Sequence, residues 1–99
     1  MTSMDDERKA VEKAQGVLRG LVPATTPRND EIRFLREASK LVTAAMAQGF
    51  SSDAALNHLR SDAATSLSAV AASLGARTLT RDVLNNARRA VAALLAGFD

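Results

Sequence analysis

The stretch that decides the fold is Thr80–Phe98, TRDVLNNARRAVAALLAGF. Its apolar side chains recur every three or four positions, which is the spacing of one face of an α-helix. Thr80 precedes the series as an N-cap residue, and Leu79 is placed to pack on Leu84 as a hydrophobic staple. The pattern predicts an amphipathic helix over residues 80–98, with an apolar face formed by Val83, Leu84, Ala87, Val91, Leu94, Leu95 and Phe98.

The same periodicity predicts three further helices, over residues 4–22, 27–48 and 52–74. Pro23 ends the first helix, and either Thr26 or Asn29 caps the second. Glycines are expected to stop the second and third helices, at Gly49 and Gly75. The third helix also has a candidate break at residues 61–62. No segment of useful length alternates with period two, so no strand is predicted.

Composition favours helices that approach one another closely. Hydrophobic residues make up 46% of the 99 positions, but 20 of them are alanine, the best helix former. The predicted connections of about 3–6 residues suit antiparallel neighbours. The sequence therefore predicts one all-α domain over residues 1–99, built as a four-helix bundle of antiparallel helices with short loops.

Charge and cysteine content exclude several classes of protein. The chain has 13 basic and 11 acidic residues, a formal charge of +2, and no charged tail of the kind that binds nucleic acid. It has no cysteine, which excludes disulfides and thiol chemistry. The acidic N-terminal segment does not resemble a signal peptide, and no apolar run approaches the ~20 residues of a membrane span. A cytoplasmic protein without membrane contact is expected.

Candidate chemistry is sparse. His58 and Asp62 lie four residues apart and can share a helix face, but no third ligand follows at a metal-binding spacing. Projection places both on the polar side of the third helix, so a solvated pair is expected. Nucleotide-binding glycine loops and nucleophile motifs are absent from the sequence. We therefore expect no catalytic, cofactor-binding or metal-binding residue, no cofactor and no small-molecule substrate; a small all-helical enzyme is the third-ranked interpretation.

A face of small, uncharged residues is predicted on the third helix. Residues 63–76 carry no charge, whereas a solvated helix face normally carries Lys, Glu or Arg. This face either lies between neighbouring helices of the same chain or forms a self-association surface. The first-ranked function is a non-enzymatic protein-interaction or regulatory module, an adaptor or inhibitor that forms a homodimer or binds another protein. The self-association candidates are Thr65, Ser68, Ala69 and Ala72.

Arginines near the start of the fourth helix provide the alternative function. Arginine and asparagine side chains bind phosphates and base edges, and several share one polar arc here. Residues 70–78 resemble the first helix and turn of a helix-turn-helix, since Ala71 is followed four residues later by Gly75. The alternative is a nucleic-acid-binding regulator that uses residues 67–89, with the solvated side of an amphipathic helix as the simpler interpretation. The candidate residues are Arg77, Arg81, Asn85, Arg88 and Arg89.

Overall fold

The predicted all-α architecture is confirmed in a computed structural model that describes residues 4–23, 26, 28–48 and 54–98. Within these residues the chain forms four helices and no strand. They are α1 (Met4–Gly20), α2 (Asn29–Gln48), α3 (Ala54–Ala76) and α4 (Arg81–Phe98). Each end lies within two residues of its predicted position, which is the ordinary uncertainty of a helix terminus.

The helices form a closed ring in which each contacts two neighbours. The contacting pairs are α1 with α2, α2 with α3, α3 with α4, and α4 with α1, so α1 lies diagonally across the core from α3. Gly97 near the end of α4 lies against Leu56 and Leu59 near the start of α3, so these two helices are antiparallel. The radius of gyration, 12.7 Å, agrees with the value of about 13 Å for a compact domain of 100 residues.

Alanine contributes a large share of the core. Alanine at a helix contact permits axes to approach to the short end of the usual range of about 8–10 Å. Leu67 and Val70, at the centre of the predicted apolar face of α3, are fully buried. The alanines among the buried apolar residues are Ala14, Ala38, Ala45, Ala63, Ala64, Ala71 and Ala87.

Two helix ends differ from the sequence-based expectation. Helix α1 stops at Gly20, and Val22, predicted to belong to it, is 53% exposed. Helix α2 is capped by Arg28 rather than by Thr26 or Asn29, since the Arg28 carbonyl accepts a hydrogen bond from the amide of Ile32. The Arg28 amide in turn donates to the Glu31 carboxylate at 3.0 Å, as in half of a capping box.

Helix α3 runs unbroken through residues 61–62 and continues past the predicted stop at Gly75. Its terminal residue in left-handed conformation is Arg77, with φ of 58°. The amide of Arg77 donates to the Leu74 carbonyl and the amide of Thr78 donates to the Ser73 carbonyl, which is the Schellman arrangement. The helix therefore ends two residues later than predicted, and the turn returns Leu79 to the core.

Helix α4 begins as predicted. The Thr80 hydroxyl accepts a hydrogen bond from the amide of Val83 at 3.2 Å, which makes Thr80 the N-cap. Leu79 and Leu84, the expected staple, are both buried. The stop predicted at Gly49 lies outside the described residues.

Candidate interaction surface

The four residues singled out on α3 are exposed to solvent. Thr65, Ser68, Ala69 and Ala72 are all exposed, although the Ser68 hydroxyl contacts Ser39 of α2 at the edge of the face. The interpretation that this face lies between helices of the same chain is therefore wrong. Self-association through these residues stays a prediction.

Helix α3 exposes this face because most of its large apolar residues turn inward. Leu56, Leu67, Val70 and Leu74 are buried, and the positions between them hold alanine, serine and threonine. The exposed faces of α1 and α2 instead carry charged residues along much of their length. The part of the bundle surface formed by residues 63–76 is therefore uncharged by comparison with its neighbours.

A groove of about 420 Å³ runs along the α2 side of this face. Ser39 is buried at its base, and its hydroxyl donates to the Ala64 carbonyl at 3.0 Å. Because that bond uses the one hydroxyl proton of Ser39, Ser68 is the donor in the 2.8 Å contact between their Oγ atoms. The Thr43 hydroxyl donates to the Ser39 carbonyl within α2 at 2.9 Å, and the hydroxyls of Ser39 and Ser68 link α2 to α3.

Two cations border the same groove. Arg36 and Lys40 lie four residues apart on α2, and neither forms an ion pair with any described residue. Like charges at this spacing destabilise a helix by a few tenths of a kcal/mol. The described residues that line this groove therefore include two cations and no carboxylate, and Glu37 lies beside both cations on the neighbouring surface of α2.

The second groove runs between α3 and α4 and is more mixed in charge. Its volume is also about 420 Å³. One cation and one carboxylate, Arg89 and Asp62, line it together with small polar and apolar groups. The remaining lining residues are Thr65, Ser66, Asn86, Ala90 and Ala93.

The predicted arginine cluster of α4 does not converge on one surface. Arg88 turns toward α1, where its Nε donates to the Leu18 carbonyl at 2.9 Å and its Nη2 donates to the Leu21 carbonyl at 2.8 Å. Arg89, the next residue, faces the α3–α4 groove instead. Arg88 is thus a cap for the end of α1, while the other candidates are exposed: Arg77, Arg81, Asn85 and Arg89.

The helix pair α3–α4 also differs in geometry from a DNA-binding helix-turn-helix. In that motif two helices meet at about 90–120°. Here α3 and α4 are adjacent at the 77–80 turn and again where Gly97 meets Leu56 and Leu59, so they are antiparallel along their length. The segment 67–89 is an antiparallel hairpin of the bundle.

Sequence reasoning missed the most buried charged pair. Glu7 is fully buried, and so is Arg60. Their guanidinium and carboxylate groups make two hydrogen bonds of 2.9 Å each. A signal was present: Glu7 lies four residues before Val11 and Arg60 lies four residues after Leu56, so both charges fall in the register of the core.

The remaining candidates for chemistry are solvated. His58 Nε2 lies 3.6 Å from Asp62 Oδ2, and their side chains are 78% and 58% exposed. In the part of the chain that the structure describes, no group of three His, Asp or Glu side chains is placed to hold a metal ion. None of the described helices is both long enough and apolar enough to span a bilayer.

Comparison with known proteins gives no relative. No family model matches the chain, and no curated protein or solved structure shows significant similarity to it. A four-helix bundle serves many unrelated functions, so the fold assigns none. The function has to be inferred from the surface of the bundle.

Proposed function

We propose that this protein is a non-enzymatic helical interaction module that docks a partner helix on the outer face of α3. The observation that carries the proposal is the uncharged, exposed face formed by Thr65, Ser68, Ala69 and Ala72. We call these four residues the α3 face. It is flanked on both sides by open grooves that can receive the edges of a second helix.

The chemistry of the α3 face suits a helix better than a flexible ligand. Small side chains let two helix backbones approach closely, so that many weak contacts form together. Alanine has no rotamer freedom to lose on burial. A helix from a second copy or from another protein meets the same requirement, and the surrounding charges distinguish these two occupants.

The charged pair in the core supports a structural rather than a catalytic role. Glu7 and Arg60 are inaccessible to solvent and satisfy one another's hydrogen-bonding groups. A catalytic group has to reach a substrate in a cleft. The pair His58 and Asp62 is accessible, but solvent rather than protein surrounds most of it.

A substitution on the α3 face tests the proposal. Ala72→Arg adds a large charged side chain at an exposed helical position, where we expect the free energy of unfolding to change by no more than about 0.5 kcal/mol. The same change is expected to abolish docking, because a partner helix would have to bury the guanidinium. Ala92→Arg, at an exposed position of α4, is the matched control and should leave docking intact.

Docking is measured in two ways on the ¹⁵N-labelled chain. Sedimentation equilibrium detects a second copy, and an NMR titration with a stapled helical peptide of alanine and serine, flanked by glutamine, detects a generic neutral helix. We expect amide shifts confined to the α3 face and its two grooves. The proposal fails if neither a second copy nor any helical peptide perturbs that face.

Nucleic-acid binding is the second candidate function. It is favoured by three exposed arginines near the start of α4, namely Arg77, Arg81 and Arg89. Binding to a duplex should weaken steeply as salt rises, with a slope of about −0.9 per phosphate contacted. Fluorescence anisotropy with a 20-base-pair DNA duplex at two salt concentrations tests it. Affinity that does not depend on salt would contradict this candidate.

A further inference from the structure

The two sides of the α3 face differ in charge. On the α2 side the groove holds Arg36 and Lys40 and no acidic residue. On the α4 side Arg89 is accompanied by the only carboxylate that lines either groove, that of Asp62. Three cations and one acid among these described residues give the rim of the docking surface a net charge of +2.

This charge opposes a second copy as the occupant. In a two-fold dimer with the α3 helices antiparallel, each α2 lies opposite the α2 of the second copy, because a two-fold interface pairs identical patches. Arg36 then approaches its own counterpart. With the α3 helices parallel, α2 lies opposite α4 of the second copy, and Arg36 and Lys40 meet Arg89 and the single carboxylate of Asp62. The antiparallel arrangement therefore brings like charges together, and the parallel arrangement supplies only one carboxylate for two cations.

We infer that the α3 face binds an acidic amphipathic helix of a different protein. This inference rests on the proposed function and names the chemistry of its partner. Arg36 and Lys40 are separated by four residues, about 6 Å along the helix axis. Two carboxylates one turn apart on the partner helix match that spacing. The partner's contact face holds small residues, and Asp or Glu lies on the flank that faces α2.

Bound carboxylates would complete contacts that the chain itself leaves open. Arg36 and Lys40 repel one another at their present spacing and have no ion pair with any described residue. An acidic flank removes that repulsion when it docks. A nucleic acid fits the same surface less well, since the α3 face between the two grooves has no cation to meet a phosphate backbone.

The test compares two stapled helical peptides that differ in one respect. Both peptides carry a face of alanine and serine. On one flank, the acidic peptide has two glutamates four residues apart, and the neutral peptide has two glutamines at the same positions. We expect the acidic peptide to shift the amides of the α3 face and to bind on the order of fivefold more tightly than the neutral one, as two solvent-exposed ion pairs allow. The variant Arg36→Gln/Lys40→Gln should bind both peptides equally.

A matched variant separates local contacts from net charge. Lys9→Gln/Arg19→Gln removes two exposed cations from α1, so it has the same net charge as the test variant. We expect it to retain most of the preference for the acidic peptide at 0.15 M salt, because neither cation lines a groove beside the α3 face and salt screens the interactions of exposed charges. Equal loss in both double variants would overturn the inference.

Each of the other possible results leads to a different conclusion about the α3 face. Equal binding of the acidic and neutral peptides at the α3 face overturns the acidic partner and leaves the docking function intact. Dimerisation that Ala72→Arg abolishes identifies a second copy, the homodimer predicted from the sequence, as the occupant. Competition by the DNA duplex for the same amides assigns the rim to nucleic acid. Absence of shifts at the α3 face in every titration, with no dimer, overturns both proposals.

Discussion

Glu7 and Arg60 form a two-pronged ion pair across the diagonal of the bundle. Arg60 Nε donates to Glu7 Oε2 and Arg60 Nη2 donates to Glu7 Oε1, each at 2.9 Å. Arg60 Nη1 donates to the side-chain oxygen of Asn57 at 3.1 Å, and the Phe98 ring lies 6.0 Å from the guanidinium carbon. The pair links α1 to α3, two helices that otherwise lie on opposite sides of the core.

Removing one member of this pair should be costly. Arg60→Met leaves the Glu7 carboxylate buried without its partner, and we expect a loss of about 3–5 kcal/mol in the free energy of unfolding. The double variant Glu7→Met/Arg60→Met removes both charges and should recover most of that loss, because apolar residues of similar volume replace a buried pair at little cost. Urea unfolding followed by circular dichroism measures the difference.

An exposed pair provides the control for that measurement. Arg8 and Glu12 lie 3.4 Å apart on the surface of α1. Glu12→Gln should change the unfolding free energy by about 0.5 kcal/mol at most. A double variant at Glu7 and Arg60 that is as unstable as the single variant would show that packing, rather than the unpaired charge, causes the loss.

Adjacent arginines on α4 should respond differently to the same substitution. Arg88→Met removes two hydrogen bonds to the carbonyls of Leu18 and Leu21, and we expect a loss of about 2–3 kcal/mol. Arg89→Met, at an exposed position, should stay within about 0.5 kcal/mol of the parent. Thermal melts compare the two variants. Equal stability would mean that solvent satisfies the carbonyls at the end of α1 equally well.

The turn after α3 offers a stabilising substitution. Arg77 occupies the left-handed region with φ of 58°, a conformation that costs most residues about 1–2 kcal/mol. Arg77→Gly relieves that cost but gives the unfolded chain more freedom, so we expect a net gain of about 0.5–1 kcal/mol. Arg77→Ala keeps the unfavourable conformation and should bring no comparable gain. A lower melting temperature for Arg77→Gly would refute the prediction.

Two helical glycines should respond differently to substitution by alanine. A Cβ added at Gly16 would meet no atom within 4 Å, so Gly16→Ala should stabilise α1 by about 0.5–1 kcal/mol. A Cβ added at Gly97 would lie 2.9 Å from Leu59 Cδ1 and 3.3 Å from Leu56 Cδ1. Gly97→Ala must displace Leu59, so we expect no net gain. Chemical denaturation of both variants measures the two changes in unfolding free energy.

The helices could be predicted from the sequence because their apolar periodicity agrees with the capping residues, prolines and glycines at their ends. Val91 and Leu67, for example, lie on apolar faces that repeat at helical spacing, and both are fully buried. The start of α4 could be predicted from the residue type of Thr80 alone, because threonine is a preferred N-cap. The end of α3 differs from the prediction because the residue in left-handed conformation is Arg77 rather than a glycine, and Leu79, two residues later, is buried.

The polar contacts were less predictable because they depend on helices far apart in the chain. Arg88 is directed toward the carbonyls of Leu18 and Leu21 at the end of α1, and no local pattern in α4 indicates this contact. Glu7 and Arg60 stand in core register, but their pairing requires knowledge of which helix ends meet. The α3 face, in contrast, was recognisable from its missing charge, and it is exposed in the folded chain.

Both ends of α1 are held by residues that are synthesised much later. Glu7 pairs with Arg60, which lies 53 residues later in the chain. The carbonyls of Leu18 and Leu21 bind Arg88, which lies 70 and 67 residues later, respectively. Contacts of such long range form only after the intervening chain has closed, at an entropic cost that local helix formation does not bear. Helix α1 is synthesised before the other three described helices but gains its polar partners only after α3 and α4 have formed, so a nascent chain that lacks α4 has no side chain bonded to the carbonyls at the C-terminal end of α1.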